Sequence, residues 1–391
     1  MVLSSGKSGQ ALRLRIIEQI VDIDPAAWNA LGAASYPFLR HEFLSALETE
    51  DCLGERFGWL PHHLTLWDPD ARLIGAAPLY LKFNSYGEFV FDWAWADAYQ
   101  RNGLRYYPKL VSASPYTPAT GPKLLVHPDA PADTRRMLMA AGLELAQQMG
   151  VSSLHWLFTT PGETTELESL GLLPRIGCQF HWHNHGYADF DAFLATLTSA
   201  KRKNIRKERK RVTEAGIRFR LLDGKGASER DWANFHTLYE STFQRRGGIP
   251  TLSAGFFRSI AASMPEQVLL VMALHENRPV AAAICLVGAD TLYGRHWGCS
   301  EHFDKLQFEA CYYQGLDLCI RQGLARFEPG AQGEHKIARG FLPTQTLSAH
   351  WLADEHFSKA IARHLSHERA GMYDYIQEMS DHSPYRKVEK A

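Results

Sequence analysis

Two periods of apolar residues alternate along the first half of the chain. A two-residue period is typical of a half-buried strand, and a period of three to four residues is typical of an amphipathic helix. The pattern predicts strands at 12–17, 63–68, 72–83, 87–95, 121–128, 152–158 and 174–187, and helices at 37–49 and 132–149. Strands therefore come first, and a helix then crosses to a further strand.

The second half of the chain repeats this order. It predicts strands at 217–222, 267–274, 279–288, 291–298 and 325–329, and helices at 229–244, 253–263 and 305–322. Gly-x-Leu-Pro also stands ten residues before His-Trp in both GLLPRIGCQFHW (171–182) and GFLPTQTLSAHW (340–351). This agreement favours duplication. We therefore predict an α/β fold with mixed sheets. Two similar units would cover 12–190 and 191–352, with a C-terminal helical segment at 353–391.

Composition narrows the class of protein. The chain has 391 residues, of which 45% are hydrophobic and 22% charged, as in ordinary globular proteins of two or three domains. Its six cysteines form no Cys-x-x-Cys pair, and no secretory signal is visible, so we expect a cytoplasmic protein. No apolar run approaches the roughly 18 residues that a membrane span requires.

Positive charge is concentrated in KRKNIRKERKR (201–211), which holds eight basic residues and one acid in a chain of net charge −1. The segment predicts a helix that ends near Gly216. Ile205 and Val212 fall on one apolar stripe of this helix, and Lys201 lies on the same stripe. The helix should therefore bury one edge and direct its cations outward.

These cations favour a phosphate ligand. We predict that Lys201, Arg202 and Arg206 contact a diphosphate or a tRNA backbone, because guanidinium groups suit bidentate phosphate contacts and lysines attract at long range. The alternative is a solvated face on which Glu208 pairs with Lys or Arg. Duplex DNA is not expected, since only Asn204 is available to read base edges.

A glycine-rich segment, GAQGEHKIARG (330–340), carries the most concentrated candidate chemistry. Its three glycines indicate unusual backbone angles or close approach of a ligand. Acyl transfer to an amine needs a proton acceptor and a group that stabilises the oxyanion. Glu328, Glu334 or His335 could take the proton, and Lys336 could stabilise the oxyanion. The alternative is a structural turn with surface charge.

Other chemistries have weaker support. His181, His183 and His185 share one face of a regular strand and could hold zinc, but such residues more often bond to backbone or aromatic groups. The corresponding segment keeps only His350, so we predict no metal site. The chain also lacks Gly-x-Ser-x-Gly, and no cysteine stands in an activating setting.

The motifs together resemble a known superfamily. LLVHPDAPADTRRMLMAAGLELAQQMGVSSLHW (124–156) is similar to the core of the GNAT acyltransferase fold. Two tandem units joined by a basic helix ending in glycine (201–217) resemble the FemAB-like branch of bacterial N-acyltransferases. Those enzymes also carry an acidic-x-x-Gly turn and an aromatic-Lys pair. In FEPGAQGEHKIARGF (327–341), His335 stands in the aromatic position and Lys336 keeps the lysine.

The resemblance implies function. FemAB-type transferases move amino acids from aminoacyl-tRNA to peptidoglycan precursors, so we expect acyl or aminoacyl transfer to an amine of a phosphate-bearing acceptor, with Arg339 also binding substrate. No tightly bound cofactor is expected, and the donor is either aminoacyl-tRNA or acyl-CoA. The glycines that cradle coenzyme A pyrophosphate in GNAT enzymes are missing from 129–137 and 299–307. A CoA-dependent N-acetyltransferase and a non-catalytic RNA-binding module remain alternatives.

Overall fold

The computed structural model describes residues 2–4, 11–331 and 333–386. The chain divides into two compact units. One consists of Met1–Gly177 and Gln345–Tyr373, and the other of Cys178–Thr344 and Asp374–Ala391. The division between the units falls at 177/178, whereas the sequence pattern predicted it at 190/191, and the C-terminal segment 353–391 is shared between them.

The first unit contains two sheets. Its strands are β1 (Val2–Ser4), β2 (Ala11–Ile17), β3 (Trp59–Pro61), β4 (His63–Trp67), β5 (Leu73–Ala77), β6 (Tyr80–Lys82), β7 (Lys109–Ser112), β8 (Leu125–Val126) and β9 (Ser153–Leu157). Its helices are α1 (Pro25–Asn29), α2 (His41–Thr49), α3 (Trp93–Arg101), α4 (Thr134–Gln148) and α5 (Pro161–Ser169), with short 3-10 helices at Ile20–Asp22, Ala33–Ser35 and Pro37–Leu39. One sheet has the order β1-β2-β4-β5-β8, and the other runs β9-β7-β6-β3. Only β7 and β9 are parallel among these pairs, and α4 lies between them in the chain, as the predicted crossover requires.

Two strand predictions in this unit are wrong. The predicted strand 72–83 breaks at Pro78 into β5 and β6, which belong to different sheets. The predicted strand 87–95 is a loop followed by α3. Gly87 and Phe89 in that loop have φ of 79° and 60°, which no strand accommodates. The alternating aromatic residues of the segment follow a strand period without forming a strand.

The second unit is built on one six-stranded arrangement. Its elements are β10 (Leu173–His183), α6 (Phe190–Thr196), α7 (Ser199–Glu214), β11 (Ile217–Asp223), α8 (Glu229–Arg246), α9 (Ala254–Ser263), the 3-10 helix Pro265–Gln267, β12 (Val268–His275), β13 (Arg278–Val287), β14 (Thr291–Cys299), α10 (Leu306–Phe308), α11 (Gln314–Gln322) and β15 (Arg326–Glu328). The strand order is β11-β12-β13-β14-β15-β10. Only β14 and β15 are parallel among these pairs, so this unit also contains one crossover.

Two long elements complete the chain, β16 (Leu342–Leu352) and α12 (Glu355–Asp381). The boundaries between the units fall within β10, β16 and α12. Within the first unit, β16 pairs with β9, where Ser348 lies opposite Leu157. Along the described residues, no helix is both long enough and apolar enough to cross a membrane.

The basic segment forms α7, as predicted. The chain leaves the helix at Ala215 and turns at Gly216, whose φ of 74° is easily reached only without a side chain. Ile205, Glu208 and Val212 form its buried edge. Ile205 packs into the core of the second unit with Trp182, Phe193, Tyr313, Phe327 and Phe341. The apolar stripe is therefore confirmed, but an acid shares it.

Candidate active site where two parallel strands separate

A cleft opens in the second unit where β14 and β15 part. The two strands pair over three residues, from Thr291 opposite Arg326 to Tyr293 opposite Glu328. Strand β14 then continues to Cys299. Strand β15 ends at Glu328, and the polypeptide continues through Pro329 into the glycine-rich segment. The cleft between them has a volume of about 490 Å³. Ligands of open α/β sheets commonly bind beyond the carboxyl ends of parallel strands.

A bulge in β14 forms one wall of the cleft. Ile284 lies opposite His296 and Cys285 opposite Gly294, so Arg295 is the extra residue that the bulge inserts into the ladder. Arg295, His296 and Trp297 consequently all line the cleft. The sequence pattern gave no sign of these residues, because regular alternation places neighbouring side chains on opposite faces, and only a bulge re-aims them.

The glycine-rich segment forms the opposite wall. Gly330, Gly333 and Gly340 have φ of 98°, 120° and 98°, which confirms that the glycines support unusual backbone angles. Between the last two, Glu334–Arg339 forms a short 3-10 helix. This turn directs the side chains of His335 and Lys336 to the cleft.

Lys336 is a buried cation at the cleft wall, with 2% of its surface exposed. Its Nζ donates a hydrogen bond to Gly330 O at 2.6 Å. Burial lowers the pKa of Lys336 to about 8, because desolvation penalises the charged form. The charged ammonium is therefore the main form of Lys336 at neutral pH, and the neutral amine becomes the main form above about pH 8.

His335 lies beside Lys336 at the rim. Its Nε2 is 2.9 Å from the hydroxyl of Tyr312, another lining residue. Burial and then the charges of Arg339 and Lys336 lower the pKa of His335. The imidazole is therefore neutral at neutral pH and available to accept a proton.

The floor of the cleft is a wide helical turn. Residues Glu309–Tyr313 form a single π-type turn between α10 and α11, and Cys311 and Tyr312 of this turn face the cleft. Such turns occur frequently at functional sites. Burial raises the pKa of the Cys311 thiol, so the thiolate needed for nucleophilic attack is disfavoured.

The electrostatic character of the cleft is positive. Among the described residues that line it, none is acidic, whereas Arg295 and Lys336 are cationic. Burial lowers the pKa of His296 to about 3, which keeps that ring neutral. An anionic group, or an oxygen that gains negative charge, is therefore the complementary ligand.

Two predicted acids lie elsewhere. Glu334 is exposed and accepts a hydrogen bond from the hydroxyl of Tyr375 at 2.9 Å. Glu328 is buried on β15, with its Oε1 3.3 Å from Arg326 Nε. Neither residue belongs to the cleft lining, so His335 is the predicted proton acceptor that the structure brings next to Lys336.

Arg339 lies beneath the loop rather than in the cleft. Its two terminal nitrogens donate to Glu208 Oε1 at 2.7 Å and to His335 O at 2.6 Å. Its guanidinium stacks on Phe308, 3.5 Å from the ring centroid. Both Arg339 and Glu208 are buried. This geometry favours a positioning part for Arg339 over the predicted contact with substrate.

The cations of α7 divide into two groups. Four of them have acidic partners, in the pairs Arg206–Asp191, Arg209–Glu309, Lys210–Glu214 and Arg211–Asp304. Within the described ranges, Lys201, Arg202, Lys203 and Lys207 have none. Three of these four cations lie in the N-terminal half of the helix, and they include two of the three predicted phosphate-binding residues, Lys201 and Arg202.

The histidine-rich strand end has an ordinary arrangement. His181 is buried, its Nε2 is 3.0 Å from Gln179 Oε1, and burial lowers its pKa to about 3. His183 and His185 are exposed. Across the part of the chain that the structure describes, no group of three or more His, Cys, Asp or Glu side chains is arranged to hold a metal ion.

Comparison with known proteins gives the family of the chain and solved structures that share its fold. Residues 19–387 match the FemAB-like family, which is described by peptidoglycan biosynthesis or recognition. No curated protein matches the sequence. Three solved structures have the same fold. The C-terminal domain of a lysylphosphatidylglycerol synthetase from Agrobacterium fabrum is 8% identical, with 87% of this chain and 96% of that chain covered and a TM-score of 0.55.

The second structure, FemX, is 12% identical over 87% of this chain and 98% of its own, with a TM-score of 0.52. The third, L-PGS from Bacillus licheniformis, is 10% identical over 87% and 95%, with a TM-score of 0.52. The family match and the shared fold place the chain among the acyl- and aminoacyltransferases. The chain belongs to the FemAB-like family, and the expected family and enzyme class are confirmed.

Proposed function

We propose that this enzyme transfers an aminoacyl or acyl group from an activated ester or thioester to an amine of a phosphate-bearing acceptor, in the cleft between β14 and β15. The observation that carries the proposal is the buried ammonium of Lys336 next to the neutral imidazole of His335, in a cleft whose described lining has no acid. The ammonium of Lys336 can stabilise the oxyanion as it forms, and the imidazole of His335 can accept the proton that the amine loses.

The reaction needs no covalent enzyme intermediate. The acceptor nitrogen attacks the carbonyl carbon of the donor, and the resulting oxyanion is stabilised by the Lys336 ammonium. His335 takes the proton that the nitrogen loses. When the tetrahedral intermediate collapses, the carbon–oxygen or carbon–sulfur bond to the donor breaks. The leaving alkoxide or thiolate receives the proton that His335 took up, which returns the imidazole to its neutral form, and the new amide remains.

Aminoacyl-tRNA is the favoured donor. The loop before α10, at 300–305, lacks glycines. It therefore disfavours the close backbone approach that the pyrophosphate of coenzyme A requires. The free cations Lys201 and Arg202 on α7 supply attraction for a polyphosphate chain. The family's description by peptidoglycan biosynthesis, and the shared fold of a lysylphosphatidylglycerol synthetase, support an aminoacylated product.

A donor screen tests the proposal. Purified protein is incubated with acyl-CoA thioesters or with charged tRNA, together with amine acceptors that carry a diphosphate, and amide formation is measured by mass spectrometry. We expect turnover with charged tRNA that Lys336→Ala lowers by about 10²–10³ and Lys225→Ala leaves intact. Lys225 is a matched exposed lysine of the same unit, paired with Glu266. Turnover with acyl-CoA alone would establish the CoA-dependent alternative.

The RNA-binding alternative makes a different prediction. A non-catalytic module would bind tRNA through Lys201 and Arg202 and give no product with either donor. Lys336→Ala and Glu334→Ala would then change nothing measurable. Product formation that depends on Lys336 excludes this alternative.

A further inference from the structure

The loop from Phe83 to Trp93 in the first unit, here called the aromatic loop, exposes large apolar side chains. Ten such side chains are exposed over the described chain, and six of them lie between positions 83 and 104: Phe83 (47%), Tyr86 (69%), Phe89 (40%), Phe91 (54%), Trp93 (40%) and Leu104 (42%). Scattered apolar residues at a surface are ordinary, whereas a concentration of this kind marks a contact site.

The polarity of the aromatic loop is inverted. Its two acids, Glu88 and Asp92, are both buried. Lys109 Nζ donates to Glu88 Oε2 at 2.8 Å and to Asp92 Oδ2 at 2.5 Å, and Lys109 is itself fully buried. Desolvation of charged groups opposes this arrangement. The loop therefore keeps its charges inside and its rings outside, the reverse of an ordinary surface loop.

The main chain of the aromatic loop is anchored at several points. Lys82 Nζ and Trp59 Nε1 both donate to Tyr86 O, at 3.1 Å and 3.2 Å. Arg175 donates to Phe91 O at 2.8 Å, and its guanidinium is held in turn by Glu368. The rings are thus presented by a fixed backbone, so their exposure does not result from a loose segment.

The chemistry of the patch fits a lipid bilayer. Phenol and indole rings prefer the boundary between lipid headgroups and hydrocarbon, and phenyl rings insert on its hydrocarbon side. Over residues 83–107, the charged side chains that face solvent are Asp97, Arg101 and Arg105, which sum to one positive charge. Within this range Asp97 is paired with Arg101 at 3.5 Å, which leaves Arg105 as the cation that complements an anionic membrane. We propose that the aromatic loop docks this protein on the surface of an anionic bilayer, an inference that stands apart from the proposed reaction.

The experiment compares vesicle binding of three proteins. Full-length wild type is sedimented with vesicles of phosphatidylethanolamine and phosphatidylglycerol, beside Phe83→Ser/Tyr86→Ser/Phe91→Ser and the control Ile249→Ser/Tyr373→Ser. The control removes an aliphatic and an aromatic side chain that are exposed outside the loop, 65% and 50% respectively. We expect the triple variant to bind at least about tenfold more weakly, and the control to bind as wild type does.

A second measurement does not depend on the folding of the triple variant. Vesicles with brominated acyl chains should quench part of the tryptophan fluorescence of wild type, and Trp93→Phe should lose that part. Absence of vesicle binding, binding unchanged in the triple variant, or no quenching would overturn the proposal. Light scattering will also show whether wild type is a dimer. A dimer that the triple variant cannot form, without vesicle binding, would assign the loop to contact with a second copy of the chain and would likewise overturn the proposal.

Discussion

Glu208 and Arg339 form a buried ion pair, with a terminal nitrogen of Arg339 2.7 Å from Glu208 Oε1. Glu208 is the one acid of the basic segment 201–211, and it also accepts a hydrogen bond from the hydroxyl of Tyr313. Through its other terminal nitrogen Arg339 holds the carbonyl of His335. The pair therefore fixes α7 to the turn that carries His335 and Lys336, so Glu208 supports the site although it lies outside the cleft.

Removing Glu208 should destabilise the protein strongly. Glu208→Ala leaves the Arg339 guanidinium buried without its carboxylate, and breaking a buried pair in this way costs about 3–5 kcal/mol. Glu214→Ala, on the same helix, removes an exposed partner of Lys210 and should cost less than about 1 kcal/mol. Denaturant unfolding measures both. Similar losses of stability in the two variants would show that the buried pair has no special weight.

Lys336→Ala should lower kcat/KM by about 10²–10³, the typical loss when one oxyanion-stabilising donor is removed. Lys336→Arg keeps the positive charge but places a larger, planar guanidinium where the ammonium was. We therefore expect this variant to be more active than Lys336→Ala and less active than wild type. Steady-state kinetics with the donor from the screen gives both numbers. Full activity in Lys336→Ala would remove this residue from the mechanism.

Activity should fall as pH rises through about 8. Burial lowers the pKa of Lys336 to that value, so above it the amine is neutral and no longer stabilises an oxyanion. In Lys336→Arg the guanidinium stays charged, and the alkaline fall should move to higher pH. A pH profile of kcat/KM for both proteins checks this. An identical alkaline limb in the two would assign it to another group.

The acid limb should reflect His335. Its pKa is lowered by partial burial and by the charges of Arg339 and Lys336, so the ring stays neutral below the pH at which a histidine without these neighbours gains its proton. We therefore expect activity to persist into mildly acidic solution, and His335→Gln to lose most turnover. Gln keeps a hydrogen-bonding group but cannot take up a proton. A variant with normal kcat would point to a solvent base instead.

The sequence predicted those features that depend on local pattern. The basic helix, the glycine-rich turn and the order of strands before a crossover helix each follow from periodicity or from glycine positions. It also brought His335 and Lys336 together, because they are adjacent in the chain and only the turn had to form.

The sequence pattern did not predict features that depend on tertiary contacts. Arg295 reaches the cleft through a bulge that β13 and β14 form together, which no single-strand pattern contains. The loop at 83–93 alternates like a strand, but the buried ammonium of Lys109, which lies 21 and 17 positions after Glu88 and Asp92, draws both acids inward. Arg339 looked like a substrate ligand because its partner Glu208 lies 131 positions earlier.

The free cations at the start of α7 should govern binding of polyphosphate ligands. Lys201→Ala/Arg202→Ala should weaken binding of bulk tRNA and reduce the slope of log K against log salt by about 0.7–0.9 for each phosphate group that no longer meets a cation. Lys210→Ala/Arg211→Ala removes equal charge from the same helix, but those cations already pair with Glu214 and Asp304. Fluorescence anisotropy over a salt series compares the two variants. Equal changes would mean that the helix attracts RNA only by its net charge, whereas weakened binding of a nucleoside diphosphate with unchanged tRNA affinity would identify the acceptor as the ligand of Lys201 and Arg202.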